Sequence, residues 1–120
     1  MELSELPAGP KAGSCLGHIN DLPDHGGKEL IFTEGMFRTS ILVQKTAAHI
    51  SVFVNHCPHA GTPLNMFGDR FLDVPGKHLI CRTHGALFDP VSGICVRGPC
   101  KGDSLRPVAH IIKGDYIYSK

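Results

Sequence analysis

The 120-residue sequence predicts a single all-β domain. Apolar residues occur in runs of strand length, such as 41–43 and 52–54, and turn-forming residues separate these runs. No segment has a helical period of useful length, and only a short turn is predicted around residues 60–66. Successive strands with tight connections imply antiparallel hairpins.

The predicted strands follow one another along most of the chain. The first lies at 15–19, and a polar loop at 20–27 separates it from a strand that begins at 30–32. Turn signals at 34–35 and 45–48 delimit strands at 37–44 and 49–54. Further strands are predicted at 78–80, 87–88, 94–96, 105–112 and 116–118, with loops at 67–70, 74–76, 89–93 and 113–115.

Length and charge limit the classes of function. A chain of 120 residues has room for one domain, and residues 1–13, which are rich in proline and glycine, predict a loosely draped extension before a domain at 14–120. A net charge of +1 argues against nucleic acid and a polybasic membrane anchor as partners. The start of the chain lacks a signal-peptide pattern, and no apolar run approaches the ~20 residues of a membrane helix. We therefore expect a soluble cytoplasmic protein.

Two short pairs of possible metal ligands stand out, Cys57-x-His59 and Cys81-x-x-His84. Two thiolates and two imidazoles can bind zinc, or an iron–sulfur cluster in which histidines replace two cysteines. A zinc finger usually takes both cysteines from one turn and both histidines from another. Here each loop offers one sulfur and one nitrogen, which suits two loops facing each other across a two-iron cluster. A mononuclear zinc site remains the alternative.

The residues around these pairs carry a family resemblance. They are the box 57–61 with Leu64 after it, the box 81–89, Ser92-Gly93, and Gly98-Pro99 before Leu105. This combination resembles the Rieske iron–sulfur domains, specifically the soluble Rieske-type ferredoxins. The resemblance implies an antiparallel β-sandwich or barrel with a cluster-binding subdomain inserted at about 54–96. It also implies a 2Fe-2S cluster with four ligands, Cys57 and Cys81 on one iron and His59 and His84 on the other.

Departures from the respiratory members of the family bear on the chemistry. Those proteins have an additional cysteine in each ligand loop, and the two form a disulfide. Here Thr62 follows the first pair and Thr83 precedes His84, so no such disulfide can form. Ala86 stands where high-potential members have serine, which removes a hydrogen bond to the cluster. We expect a potential toward the low end of the Rieske range of about −150 to +300 mV. The positive charge of Arg82 could offset part of that lowering.

Other cysteines and histidines are predicted to have structural roles. Cys15, Cys95 and Cys100 are expected to be reduced thiols, with Cys15 and Cys95 buried as small apolar side chains and Cys100 packed in the loop after Gly98-Pro99. His56 is predicted to be a loop residue on a partner surface, and the histidines at 18, 25, 49, 78 and 110 are expected at the surface or on strand faces. The backbone N–H groups of the glycine-containing loops at 61 and 85 are expected to point at the sulfurs of the cluster.

The leading functional hypothesis is a one-electron carrier that takes electrons from a reductase and gives them to a terminal oxygenase or similar enzyme. Such a carrier has no small-molecule substrate, and no residue is predicted to be catalytic. A Rieske oxygenase subunit is an enzyme alternative, but it needs a second domain with mononuclear iron, for which 120 residues leave no room. The third possibility is the small Rieske-fold subunit of a larger oxidoreductase such as a nitrite reductase, which often lacks the cluster ligands present here.

Overall fold

The computed structural model describes residues 1–23, 26–46, 49–58, 61–65, 71–72, 77–81, 83 and 85–120. Within these ranges the chain forms nine β-strands and two short 3₁₀ helices, Leu3–Glu5 and Ile19–Asp21. The strands are β1 (Cys15–His18), β2 (Gly26–Glu34), β3 (Phe37–Thr46), β4 (His49–Val54), β5 (Leu79–Ile80), β6 (Leu87–Phe88), β7 (Cys95–Arg97), β8 (His110–Lys113) and β9 (Tyr116–Ser119). The predicted all-β class is confirmed.

The strands form three antiparallel sheets. Their orders are β1-β9-β8, β2-β3-β4 and β5-β6-β7. The longest hairpin pairs Gly26 with Lys45 at one end and Glu34 with Phe37 at the other. Gly35 in its turn has a φ of 59°, a conformation that glycine adopts without steric cost. The turn signals of the sequence therefore sit where the hairpins reverse.

The β2-β3-β4 sheet separates two hydrophobic cores. Alternate residues of a strand point to opposite faces. Ile41 and Val43 on β3 accordingly pack with Val52 on β4 in one core, together with residues of the β1-β9-β8 sheet. Leu42 and Phe53 lie on the other face, in a core shared with the segments that carry Cys57 and Cys81. Because both faces of β4 are covered, five of its six residues are buried.

The predicted strand at 105–112 is wrong in its first half. The strand β8 begins only at His110. Before it the chain crosses the end of β4, where Val54 N–H donates to the Arg106 carbonyl and Val108 N–H donates to that of Val52. Pro107 lies between these bonds and has no N–H to continue a ladder, so only an isolated bridge to Phe53 forms there.

The N-terminal segment packs against the domain. Leu3 is fully buried in the core beside the β1-β9-β8 sheet. The Met1 carbonyl accepts a hydrogen bond of 2.7 Å from Ala109 N–H, and the Gly9 backbone approaches the Leu3 carbonyl so closely that a Cβ would not fit. Leu3 thus anchors a segment whose proline and glycine content predicted a loosely draped extension.

None of the helices in the described part of the chain has the length and apolar character that crossing a membrane would require.

Candidate metal centre

Two loops with the same backbone hydrogen-bond pattern present Cys57 and Cys81. In the first ligand loop, residues 57–62, the Cys57 N–H donates to the Thr62 carbonyl and the Cys57 carbonyl accepts from Gly61 N–H, both at 2.8 Å. In the second ligand loop, residues 81–86, Cys81 N–H donates to the Ala86 carbonyl at 2.9 Å and its carbonyl accepts from Gly85 N–H at 2.8 Å. Each cysteine therefore stands at the base of a closed five-residue turn.

In each loop the fourth residue after the cysteine is a glycine. The φ angles of Gly61 and Gly85 are 69° and 73°, in the left-handed region that other residues enter at a cost. Both glycines are exposed, whereas Cys57 and Cys81 are fully buried. The loops thus carry their sulfur atoms inward and their tips toward solvent.

The glycine N–H groups close the two turns. The Gly61 and Gly85 N–H groups donate to the carbonyls of Cys57 and Cys81. A residue with positive φ closes a tight turn in this way. That other backbone N–H groups of these loops point at cluster sulfurs stays a prediction.

Side chains bring the two ligand loops together. The hydroxyl oxygens of Thr62 and Thr83 lie 3.0 Å apart, within hydrogen-bond distance. Cys57 and Cys81 belong to one buried core, with Ala86, Phe88 and nine other residues. The predicted ligands His59 and His84 lie outside the described residues, as do Arg82, His25, Asp24, Ala60 and residues 67–70 and 74–76. Of the four predicted ligands, the structure therefore describes the two cysteines, and both lie in one core.

A buried polar network fixes the first ligand loop to the β2-β3-β4 sheet. The Asn55 amide nitrogen lies 3.0 Å from a Glu29 carboxylate oxygen, 3.1 Å from the Ser40 hydroxyl and 3.0 Å from the Asn65 amide oxygen. Its amide oxygen accepts from Leu64 N–H at 2.8 Å. Asn65 donates to the other Glu29 oxygen at 3.0 Å. The residues just before and after the first ligand loop are thereby tied to one carboxylate.

The charge of Glu29 is stabilised by this network. Partial burial opposes its ionisation, but hydrogen bonds from Ser40, Asn65 and Asn55 outweigh burial, and the charge of Arg38 adds to them. The net result is a pKa below the ordinary glutamate value. Sequence reasoning missed this network. The available signal was the pair of asparagines that flank the first ligand box, Asn55 and Asn65.

A third loop, residues 89–94, has the same backbone pattern without a cysteine. Asp89 N–H donates to the Ile94 carbonyl at 2.9 Å, and Gly93 N–H donates to the Asp89 carbonyl at 2.8 Å. The Asp89 carboxylate accepts from the N–H groups of Val91 and Ser92 at 2.9 and 2.8 Å. The pKa of Asp89 is lowered, and the hydrogen bond from Ser92 is the largest cause. Partial burial raises the pKa, whereas the bond from Val91 and the charge of His78 lower it further.

The segment after β7 covers the second ligand loop. Gly98 has a φ of 109°, and a Cβ built on it would lie 2.9 Å from Ala86 Cα. Further along the segment, Cys100 is 3% exposed and its thiol lies 2.9 Å from the sulfur of Cys95. Burial, the contact with Cys95 and the neighbouring thiols of Cys95 and Cys57 raise the pKa of Cys100 to about 12. The predicted packing roles of Cys95 and Cys100 are confirmed.

The burial predicted for Cys15 is wrong. Cys15 is exposed because it is the first residue of β1, and the buried face of that strand is occupied by Leu16. His56 is exposed beside Cys57, as predicted. It lines a cleft of about 320 Å³ with Arg38, Arg106 and residues of the N-terminal segment. Among the described residues no group of three or more histidine, cysteine or acidic side chains could hold a metal ion.

The donor chemistry of the two ligand loops fits an iron–sulfur cluster. Thiolates are the ligands that hold such clusters, and two of them here share one apolar core at the ends of matched loops. An apolar surround and backbone turns of this kind keep solvent away from metal–sulfur bonds. Two buried cysteines at the bases of matched loops on an antiparallel β scaffold are typical of an iron–sulfur protein.

Comparison with known families identifies the class further. The family profile described as "Rieske [2Fe-2S] domain" matches residues 14–111. The chain therefore belongs to the Rieske [2Fe-2S] domain family, and a Rieske-type 2Fe-2S cluster is its cofactor. Among curated proteins no sequence matches.

Solved structures share the fold at low sequence identity. The ferredoxin of carbazole 1,9a-dioxygenase from Nocardioides aromaticivorans IC177 superposes with a TM-score of 0.69 and 16% identity, over 91% of this chain and 97% of that one. The Sphingomonas yanoikuyae B1 ferredoxin gives 0.65 and 19%, over 90% and 97%. A chain in the complex of reduced oxygenase and oxidized ferredoxin in carbazole 1,9a-dioxygenase gives 0.65 and 15%, over 92% and 90%. These likenesses confirm the Rieske-like architecture.

Proposed function

We propose that this protein is a one-electron carrier, a Rieske-type ferredoxin that passes electrons from a reductase to a terminal oxygenase or similar enzyme. The observation that carries the proposal is the pair of matched loops that bury Cys57 and Cys81 in one core. Family membership over residues 14–111 and a fold shared with ferredoxins along their whole length support it. Two of the structures reported above belong to carbazole 1,9a-dioxygenase.

Four residues would hold the cluster. Cys57 and Cys81 would bind one iron and His59 and His84 the other, and residues 54–96 would form the cluster-binding subdomain of a domain at 14–120. When bound, the 2Fe-2S cluster supplies one-electron redox chemistry. The chain holds both thiols away from water, while its loop tips, including Gly61 and Gly85, reach solvent. This arrangement suits transfer to a partner.

The partner surface would surround the loop tips. Beside the first ligand loop, His56 shares a cleft with Arg38 and Arg106, and all three side chains are exposed. The two arginines suit acidic side chains on the docking face of a terminal oxygenase. Charged rims of this kind accelerate encounter more than they add affinity, so the complex would be short-lived and sensitive to salt.

The cofactor and its ligands can be tested on the purified protein. We expect a coloured protein with about two iron and two sulfide per chain and a Rieske-type paramagnetic resonance signal on reduction. His59→Cys and His84→Cys would change that signal toward an all-cysteine cluster, because histidine ligation sets the Rieske character. A colourless protein with stoichiometric zinc would contradict the proposal.

Electron transfer needs a separate assay. The chemically reduced protein, mixed anaerobically with an oxidised terminal oxygenase of an aromatic dioxygenase system, should be reoxidised with one electron transferred per chain. Raising the salt concentration should slow this transfer, and Arg38→Ala with Arg106→Ala should slow it at low salt only. Stable co-purification with a large partner would favour a bound subunit over a free carrier.

We also propose a cytoplasmic location and no catalytic role of its own. The support is compositional: Cys15, Cys95 and Cys100 are present as thiols outside the ligand loops, which is typical of a reducing compartment. Fractionation of cells that express the protein would test the location. Incubation of the reduced protein with oxygen and an aromatic substrate, without an oxygenase, should give no hydroxylated product.

A further inference from the structure

Cys95 and Cys100 form a close pair of thiols outside the ligand loops. Their sulfur atoms lie 2.9 Å apart, and the two residues are 2% and 3% exposed. Cys100 donates its S–H to Cys95, and Cys95 donates to the Arg97 carbonyl at 3.4 Å. The two sulfurs are thus directed at each other within an apolar core.

The backbone holds the two cysteines side by side. Cys95 N–H donates to the Asp103 carbonyl at 2.8 Å, and the Cys95 carbonyl accepts from Gly102 N–H at 3.3 Å. The Cys100 carbonyl accepts from Asp103 N–H at 2.8 Å. One residue, Asp103, therefore connects to both cysteines, because its carbonyl accepts from Cys95 and its N–H donates to Cys100. The closeness of the sulfurs follows from this closed turn.

We propose that Cys95 and Cys100 are a reversible thiol–disulfide site. A disulfide bond is about 2.05 Å long, so the two sulfurs would have to approach each other by about 0.9 Å more. The site is separate from the electron-transfer function proposed above, since neither cysteine is one of its four ligands.

The reaction balances with a peroxide as the oxidant. Because both sulfurs are almost fully buried and the pKa of Cys100 is raised, a peroxide reaches them only when the exposed Gly98–Pro99 segment opens. One sulfur then attacks the peroxide, the O–O bond breaks, and a sulfenic acid forms with release of water or an alcohol. The second thiol then attacks the sulfenic sulfur, the S–S bond forms, and a second water leaves. The two sulfurs lose two electrons in total, the peroxide gains them, and the two thiol protons end in the released water and alcohol.

Oxidation would restrict the segment after β7, which covers the second ligand loop. The segment that carries Cys100 includes Gly98, whose backbone lies against Ala86. A disulfide would tie this segment covalently to β7 and limit its movement away from Ala86. Reduction would release it. The pair could therefore adjust how firmly the loop that presents Cys81 is covered, in response to peroxide rather than to the electron-transfer partners.

Trypsin provides a direct test, because it cuts after Arg82, Arg97 and Lys101 and so separates Cys95 in peptide 83–97 from Cys100 in peptide 98–101. The native protein would be treated with increasing hydrogen peroxide, quenched with acid, alkylated under denaturing conditions and digested. We expect peptides 83–97 and 98–101 to appear as one disulfide-linked species, with loss of their two alkylated forms. Dithiothreitol should restore both.

Variants and a folding control complete the test. Cys100→Ser should abolish the linked species, whereas Cys15→Ser should leave it unchanged. Far-ultraviolet circular dichroism would report whether the protein stays folded at each peroxide dose. If the linked peptides are absent at every dose that leaves the fold intact, or form only after the spectrum changes, the proposal is overturned. This readout needs no cluster, so it is independent of the electron-carrier assignment.

Discussion

Three loops of this protein share one backbone pattern, and they differ in the residue that begins it. In the two ligand loops that residue is Cys57 or Cys81, whereas in residues 89–94 it is Asp89. The Asp89 carboxylate accepts hydrogen bonds from the backbone of its own loop. The loop pattern is therefore stable with a carboxylate and needs no metal. The side chain at its first position distinguishes the two loops that are predicted to bind the cluster from the third.

The surroundings of the three loops also differ. The first ligand loop is tied to Glu29 through Asn55 and Asn65, and the second is covered by the segment that contains Gly98. The Asp89 loop instead packs its glycine against Phe53, in the core of the domain. The two ligand loops leave their glycines exposed, as expected of tips that meet another protein.

The largest expected effect comes from exchanging the first residue of a loop. Cys57→Ser and Cys81→Ser should each reduce the bound iron from about two per chain to nearly none, because a hydroxyl is a poor ligand for iron in a cluster. Asp89→Ser, at the equivalent position of the third loop, should leave the iron content unchanged. Iron and sulfide analysis of the three variants would measure this. Full iron content in Cys81→Ser would refute its role as a ligand.

Adding a methyl group to the loop glycines separates backbone strain from crowding. Gly85 and Gly93 have φ angles of 73° and 78°, but a Cβ on Gly93 would lie 2.6 Å from Phe53 whereas one on Gly85 meets nothing within 4 Å. Gly85→Ala should lower the unfolding free energy by about 1–2 kcal/mol from strain alone. Gly93→Ala should cost a further ~1–3 kcal/mol from overpacking.

Urea denaturation would give both values for the glycine variants. Equal losses of stability in Gly85→Ala and Gly93→Ala would mean that Phe53 moves aside without cost. In that case the third loop is no more tightly packed than the second, and the contrast between them would be lost.

Removing the anchor of the first ligand loop should have a smaller effect. Asn55→Ala leaves the buried Leu64 N–H without its acceptor and deprives Glu29 of a donor. We expect a loss of about 1–3 kcal/mol in the unfolding free energy. Asn20→Ala, at an exposed asparagine, is the matched control and should change stability by no more than about 0.5 kcal/mol. A neutral Asn55→Ala would show that the network does not hold the loop.

Acid should weaken the third loop gradually. Because the pKa of Asp89 is lower in the folded protein than in the unfolded chain, its contribution to stability is present above the unfolded value of about 3.9 and is lost as pH falls through the folded value. Urea denaturation between pH 7 and pH 3 should show less acid dependence in Asp89→Asn than in the natural protein. Asp21→Asn, at an exposed aspartate, should retain the full dependence. An unchanged profile in Asp89→Asn would contradict the carboxylate's role.

The sequence was sufficient for the strands and the ligand boxes, because both depend on local signals. Apolar runs between turn signals predicted β3 and β4 within two residues, and the resemblance of the two ligand boxes predicted the family. The ligand roles of Cys57, His59, Cys81 and His84 stay predictions. The sequence could not show that Asp89 begins a third loop of the same pattern, because that equivalence lies in backbone hydrogen bonds.

Long-range contacts account for the remaining differences. Glu29 meets Asn65 across 36 positions, and only the pairing of β2 with β3 brings Glu29 within reach of the first ligand loop. Leu3 could not be assigned to the core from a segment rich in proline and glycine. Cys15 was expected inside because cysteine is often buried, but its place at the first position of β1 faces solvent.

The contact between Thr62 and Thr83 occupies the stretches where respiratory relatives carry their extra cysteines. A hydroxyl pair joins the tips noncovalently, so thiol reagents and disulfide reductants have nothing to cut there. Sensitivity to such agents would then reside elsewhere in the molecule.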